Sequence, residues 1–144
     1  MWLSVFRQGR TVARAWRVEI NRAETHVEVF YRYEAALVTY DIETLDALFW
    51  SSDLTVRLGA SEHLFGQDEI LAFRNARLSA GLAQKLERVI ITTFGNDFAT
   101  TNAVFNRIGW LYSKSGRQSQ SLVKIPGRGW QIVSAHVSII DLDK

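Results

Sequence analysis

The sequence contains no cysteine and only one proline among its 144 residues. The absence of cysteine excludes disulfides, iron–sulfur clusters, cysteine-based zinc sites and thiol nucleophiles, and it is typical of a reducing compartment such as the cytoplasm. No apolar run approaches the roughly 20 residues of a membrane-spanning helix, so we expect no membrane partner. With 47% hydrophobic and 12% aromatic residues, the composition instead predicts one globular domain with a core of its own.

Motifs for metals and cofactors are also missing. His26, His63 and His136 lie far apart in the sequence, whereas metal ligands usually come in short, regularly spaced motifs. The chain has neither a glycine-rich phosphate loop nor a Gly-x-Ser-x-Gly nucleophile elbow. We therefore expect no metal and no cofactor.

Basic residues are concentrated at the N-terminus. Residues 1–18 contain four arginines and no acidic residue, which leaves 13 basic and 15 acidic residues in the rest of the chain. Nucleic-acid binding needs a basic face, so we expect no nucleic-acid partner. We interpret residues 1–22 as a basic extension and residues 23–144 as a single domain. The extension has three open interpretations: a targeting peptide, a basic amphipathic helix or an accessory segment.

The domain begins with helical periodicity and ends with strands. Apolar residues at three- and four-residue spacings predict one helix from Thr25 and a second after the N-cap Asp41. Two short extended pieces follow, at Leu54–Leu58 and His63–Gly66, and then a third helix over Asp68–Arg77. Four longer runs rich in β-branched and aromatic residues predict strands, at Leu86–Phe94, Phe98–Arg107, Gln118–Ile125 and Gln131–Ile140.

Turn residues indicate how these elements connect. Ser79-Ala80-Gly81 end the third helix, and Gly95-Asn96-Asp97 and Pro126-Gly127-Arg128-Gly129 make tight turns. We interpret the longer joint Ile108–Gly116 as a mobile lip. Helices grouped before a run of strands indicate the α+β class. The prediction is a cone-shaped, curved antiparallel sheet wrapped over three N-terminal helices, with one ligand cavity.

Three arginines are candidates for binding an anion. Arg57 lies in an apolar strand, so it either points to solvent or pairs inside with Glu34, Glu62 or a substrate carboxylate. Arg74 and Arg77 lie three residues apart and share one side of the third helix. Guanidinium groups suit bidentate binding of carboxylates, so arginines that converge on one cavity would select a small acidic ligand.

The other candidates are polar side chains on the first helix and the last strands. Tyr33 is either a core residue or a hydrogen-bond donor to a developing oxyanion. Alternation places Gln118 and Gln120 on one strand face, without fixing whether this face lines the cavity. His136 and Ser138 share a face of the final strand, where His136 is either a wall residue or a general base.

Several ordered motifs carry a family resemblance, and they run from Arg32-Tyr33-Glu34-Ala35-Ala36 through Thr55-Val56-Arg57-Leu58-Gly59, Ala72-Phe73-Arg74-Asn75-Ala76-Arg77 and Gly116-Arg117-Gln118-Ser119-Gln120 to Ala135-His136-Val137-Ser138. Over about residues 24–140 the chain resembles the AtzH-like family, which includes the oxalurate-catabolism protein HpxZ. The resemblance implies a cystatin-like α+β barrel of the nuclear-transport-factor-two-like superfamily, a homodimer and possible association with an amidase. It also implies metal-free hydrolysis of a small carboxylated urea or ureide such as 1,3-dicarboxyurea.

The resemblance implies catalytic roles for Tyr33, Arg57 and His136. The family's motifs also match Arg74, Arg77, Gln118, Gln120 and Ser138 as substrate-binding residues, and we add Glu62 and His63 to this candidate set. The chain departs from the family's Glu-Asn-Leu-Tyr-Gly pattern at His63 and Phe65, so its substrate preference is open. Two other functions remain: a non-catalytic ureide-binding or amidase-associating module, and a proton transfer like that of ketosteroid isomerase, with Glu62 as the cavity carboxylate.

Overall fold

The computed structural model describes residues 3–7, 24–77 and 82–142, with the backbone alone for residues 3–7. Its first helix, α1, spans His26–Thr39, as the periodicity predicts. Thr25 caps this helix: its hydroxyl accepts the backbone N–H of Glu28, whose carboxylate accepts the N–H of Thr25 in return. Tyr40 adopts the left-handed conformation and ends the helix.

The second helix, α2, covers Ile42–Leu48 and begins after Asp41, the predicted N-cap. Strands β2 (Val56–Leu58) and β3 (His63–Phe65) follow and pair as an antiparallel hairpin. Helix α3 covers Gln67–Ala76. All three helices and both short strands therefore lie where the sequence predicts them, to within a few residues at their ends.

Four long strands form the rest of the domain: β4 (Gln84–Phe94), β5 (Phe98–Arg107), β6 (Lys114–Ile125) and β7 (Gly129–Asp141). Neighbours pair antiparallel in chain order, as predicted. Strand β6 begins before the predicted Gln118, because Lys114 already pairs with Asp141 at the end of β7. The expected lip is therefore shorter than predicted and contains a 3-10 helix at Ile108–Trp110.

All seven described strands, including β1 (Leu3–Arg7) near the N-terminus, belong to one sheet, in the order β1-β4-β5-β6-β7-β2-β3. The prediction of a purely antiparallel sheet is wrong at one place, because β2 runs parallel to β7. The chain leaving α2 already runs alongside β7, where Phe49 forms a parallel bridge to Ile132. The short hairpin of β2 and β3 thus extends a curved mixed sheet at its β7 edge.

The opposite edge of the sheet is strand β1 (Leu3–Arg7), which pairs antiparallel with β4. This part of the basic extension is a strand and not an amphipathic helix. Residues 8–23, which hold most of the extension, and the predicted helix end at Ser79-Ala80-Gly81 lie outside the described residues.

The core lies between the helices and the concave face of the sheet. One buried cluster joins α1, α2 and α3 to β7 and includes Tyr33, Leu45, Phe49 and Ile132. A second, smaller cluster packs α1 against β4 and β5 around Phe30. In the part of the chain that the structure describes, no helix is long and apolar enough to cross a membrane. These two clusters do not fill the open end of the concave face, and the cavity lies there.

Candidate functional site

A cavity of about 290 Å³ opens inside the cone. Side chains from α1, α3, the β2–β3 turn and the inner faces of β4–β7 line it: Tyr33, Leu37, Arg57, Ala60, Ser61, Glu62, Phe73, Arg77, Gln84, Phe105, Arg107, Gln118, Val137 and Ile139. Ligand pockets of this kind are concave, partly apolar and supplied with a few placed polar groups. The volume suits a small molecule.

An ion pair forms one wall of the cavity. Arg57 points inward with its side chain only 6% exposed, and its Nη1 lies 2.6 Å from Oε1 of Glu62. Ser61 donates its hydroxyl and its backbone N–H to the other oxygen of Glu62. Burial alone would raise the pKa of Glu62, but the hydrogen bonds from Arg57 and Ser61 and the charge of Arg57 lower it below its ordinary value.

Gly59 allows this ion pair to form. A Cβ at Gly59 would lie 1.7 Å from Oε1 of Glu62, so any other residue would displace the carboxylate from Arg57. Gly116 has the same function for an aromatic wall residue, since a Cβ there would lie 2.2 Å from the ring of Phe105. Both glycines therefore shape the lining of the cavity by allowing a close approach.

Two more guanidinium groups face the cavity without a carboxylate partner among the described residues. Arg77 lies over the ring of Phe73, 5.8 Å from its centroid, and Arg107 lies over the rings of Phe105 and Trp110, at 5.5 and 5.3 Å. Burial, and then the positive charges of Arg77 and Arg57, lower the pKa of Arg107. Aromatic faces stabilise these cations, but an anionic ligand would stabilise them further.

Tyr33 occupies the cavity wall next to these arginines. Its side chain is buried, and its ring packs against Phe49 at a centroid distance of 6.2 Å. Its hydroxyl forms no hydrogen bond within the described chain, and Tyr33 and Arg107 both line the cavity. Tyr33 is thus a fixed hydrogen-bond donor at the cavity.

A buried carboxyl group lies behind the polar wall. Glu34 of α1 accepts hydrogen bonds from the amide nitrogens of Gln84, at 2.9 Å, and Gln118, at 3.0 Å. Both glutamines line the cavity. Burial raises the pKa of Glu34, and the two hydrogen bonds oppose this shift without cancelling it. Glu34 therefore holds both amides in a fixed orientation.

Two of the predicted binding residues are buried outside the lining. The guanidinium of Arg74 lies 5.3 Å from the ring centroid of Phe49 and 6.0 Å from that of Tyr33, and its Nε and Nη2 have no hydrogen-bond partner in the described chain. Gln120 accepts the hydroxyl of Thr101 at 3.1 Å. Arg74 thus packs against Tyr33, whereas Gln120 is buried in the sheet against the neighbouring strand β5.

Three further predicted residues face away from the cavity. Strand β7 presents Val137 and Ile139 to the cavity, so alternation places His136 and Ser138 on the outer face. His136 is exposed, and Ser138 accepts a hydrogen bond from Arg117 at 3.1 Å. His63 is exposed on β3. The expected position of His136 inside the cavity is therefore corrected, because the phase of the strand is opposite.

The structure thus brings five of the candidate residues together around one cavity: Tyr33, Arg57, Glu62, Arg77 and Gln118. It adds Arg107 and Gln84, which the sequence does not single out. Glu34, one of the predicted alternatives for the partner of Arg57, binds Gln84 and Gln118 instead. Strand alternation places Arg107 on the same face as the apolar Phe105, and this pattern in the sequence could have indicated that Arg107 points inward. No three His, Cys, Asp or Glu side chains within the described ranges lie close enough together to hold a metal ion.

Known proteins match both the sequence and this fold. The AtzH-like family model matches residues 6–143. A protein of unknown function of the DUF3225 family from Pectobacterium atrosepticum has 50% identity and a TM-score of 0.76, over 80% of this chain and 88% of its own. A cystatin-like fold protein from Burkholderia xenovorans has 37% identity and a TM-score of 0.76, over 98% and 99%. None of the curated proteins matches.

A nuclear transport factor 2 superfamily protein from Salmonella enterica shares the fold, with 25% identity and a TM-score of 0.62, over 81% of this chain and 88% of its own. The predicted α+β, cystatin-like fold is confirmed by these neighbours. The family match extends beyond the expected range of residues 24–140 toward the N-terminus, where β1 joins the sheet. The chain belongs to the AtzH-like family.

Proposed function

We propose that this protein hydrolyses a C–N bond of a small, doubly carboxylated urea. One observation carries the proposal: among the described residues, three arginines and a single carboxylate, Glu62, line one cavity of about 290 Å³. This described lining therefore has an excess of two positive charges. A small dianion would neutralise this excess, and its carboxylates would provide the partners that Arg77 and Arg107 lack in the described chain.

The arginines have different roles in this proposal. Arg57 is already held by Glu62, so its position is fixed before the ligand arrives. Arg77 and Arg107 lie on different elements and are supported by aromatic rings, which leaves their N–H groups for the two ligand carboxylates. Two fixed anchors would orient the central carbonyl of the urea, and orientation of this kind supplies a large part of many catalytic accelerations.

The chemical step uses the polar groups between the anchors. A water molecule adds to the central carbonyl carbon, and Tyr33 donates a hydrogen bond to the oxygen that becomes negative. Glu62, whose lowered pKa keeps it ionised at neutral pH, takes the proton of the water. The C–N bond then breaks and the nitrogen receives this proton, which gives an amine-bearing fragment and a carbamic acid. The second proton of the water stays on the carbamic acid and passes to solvent when the acid ionises to a carbamate. The proton and charge balance without a metal or an oxidant.

The test is turnover by the purified protein of 1,3-dicarboxyurea, allophanate, oxalurate and biuret, followed as release of ammonia and carbon dioxide. We expect turnover of a dianionic compound and none of uncharged biuret. Tyr33→Phe should lower kcat about 100-fold, the typical effect of removing one oxyanion donor. The control is Tyr112→Phe, since Tyr112 is exposed and lies outside this cavity.

Silence across the panel would contradict hydrolysis. If one of these anions still bound, the cavity would belong to a ureide-binding module, which is the second function that the family resemblance allows. Equal kcat values for the Tyr33→Phe variant and the wild type would remove Tyr33 from the chemical step while leaving the anion site in place.

A further inference from the structure

The two oxygens of the Glu34 carboxylate are both occupied inside the protein. Oε2 accepts the amide nitrogen of Gln84 and Oε1 accepts that of Gln118. A carboxylate can only accept such bonds, so it selects the nitrogen end of each glutamine amide. The three side chains come from α1, β4 and β6, and Glu34 is buried beneath them.

This arrangement determines what the two glutamines offer to a ligand. With both nitrogens bound to Glu34, the carbonyl oxygens remain available. Oε1 of Gln84 is buried and has no hydrogen-bond partner in the described chain. A buried acceptor without a donor is unfavourable by itself, which makes it a good partner for a ligand N–H.

Acceptors of this kind are scarce in the cavity. Arg57, Arg77 and Arg107 can only donate. The carboxylate of Glu62 is held by Arg57 and Ser61, and in the proposed reaction it accepts the proton of the attacking water and not a ligand N–H. Among the described side chains of the lining, Gln84 and Gln118 therefore supply the free amide oxygens.

We infer that Glu34 orients Gln84 and Gln118 so that the cavity recognises N–H groups, which restricts its ligands to carboxylated ureas and amides and excludes dicarboxylates of equal length without N–H. The inference rests on the proposed function, since the arginines must first hold the carboxylates. Glu34 is a positioning residue here. The glutamine oxygens make the contact with the ligand.

The test compares two stable dianions by isothermal titration calorimetry. One is 1,3-bis(carboxymethyl)urea, and the other is 4-oxoheptanedioate, which replaces both N–H groups by CH2 and keeps the carbonyl and the carboxylates. We expect the wild type to bind the urea about tenfold or more tightly than the ketone, because the ketone leaves the glutamine oxygens unpaired. In Gln84→Met this preference should fall to about threefold or less, through weaker binding of the urea.

The matched control is Gln67→Met, because Gln67 also donates its amide to a carboxylate, Asp46, but outside the cavity. It should retain the wild-type preference. If the wild type binds both dianions equally, the inference is overturned and the anion site stands. If neither dianion binds, the proposed function and the inference fail together. If the Gln84→Met variant kept the full wild-type preference for the urea, the inference would also be overturned. Glu34 is unchanged in this variant.

Discussion

The two faces of strands β6 and β7 carry similar polar residues in opposite surroundings. On the outer face, Arg117 donates to Ser138 at 3.1 Å and Ser119 donates to Asn102 at 2.7 Å, all near solvent. On the inner face, Gln118 is buried and bound to a buried carboxylate. Residue type alone does not separate these faces. The faces differ in burial and in whether their polar side chains meet at one cavity. Both criteria identify the inner face as the one where chemistry is possible.

The largest expected difference between the faces is that between two arginines. Arg107→Met removes a cavity guanidinium, whereas Arg117→Met removes an exposed one on the outer face. A charge-assisted hydrogen bond contributes about 1.5–3 kcal/mol, which corresponds to roughly 10- to 100-fold in kcat/KM for the dianionic substrate. We expect this loss for Arg107→Met and a change below about twofold for Arg117→Met.

Steady-state kinetics on the substrate found in the panel would measure both effects, and circular dichroism would check that the variants fold. If the two arginine variants lost activity equally, the contrast between the faces would have no functional meaning. A loss with Arg117→Met alone would place the reaction on the outer surface.

The local parts of this structure could be predicted from the sequence. Thr25 and Asp41 cap their helices through contacts within three residues, so the signal is contained in a short window. The Arg57–Glu62 pair is among the alternatives that the sequence offers, since the two residues are only five apart across a tight turn. Likewise, alternation correctly pairs Gln118 with Gln120 on one face.

The long-range parts could not be predicted in the same way. The bonds of Glu34 span 50 residues to Gln84 and 84 residues to Gln118, and only the folded, curved sheet brings them together. Alternation also leaves the phase of a strand open, so the residues alone could not test the cavity role that the family resemblance implies for His136. The phase is set by which residues of β7 pack inward, Ala135 and Val137, and this depends on the register with β6.

A smaller contrast concerns stability and pH. Because burial raises the pKa of Glu34, the folded protein binds this proton more tightly than the unfolded chain. The resulting stability is fully present below the ordinary pKa of 4.5 and is lost as the pH rises through the higher pKa of the folded state. Glu34→Gln removes the titration, so the free energy of unfolding of the variant should increase relative to the wild type as the pH rises from below 4.5 through the higher pKa of the folded state.

Urea denaturation at several pH values would measure this relative change, with Glu43→Gln on the exposed side of α2 as the control. When the free energy of unfolding is plotted against pH, the curves for Glu34→Gln and the wild type should converge or cross as the pH rises. The difference in free energy of unfolding should change by on the order of 1 kcal/mol for each unit by which folding shifts the pKa of Glu34. Parallel curves would mean that Glu34 has the same affinity for its proton in the folded and unfolded states.

The smallest expected effect is that of His136→Asn. His136 is exposed on the outer face, opposite Ser119 in the sheet, while the next residue, Val137, lines the cavity. We expect kcat and KM to change by less than about twofold for His136→Asn, since surface substitutions away from a site have small effects. Val137→Asn should lower kcat/KM clearly, because it puts an amide into the apolar part of the lining. The two substitutions introduce the same residue at neighbouring positions on opposite faces of the strand. A tenfold loss with His136→Asn would show that the imidazole takes part in the reaction from outside the cavity, and the division between the two faces would then be wrong.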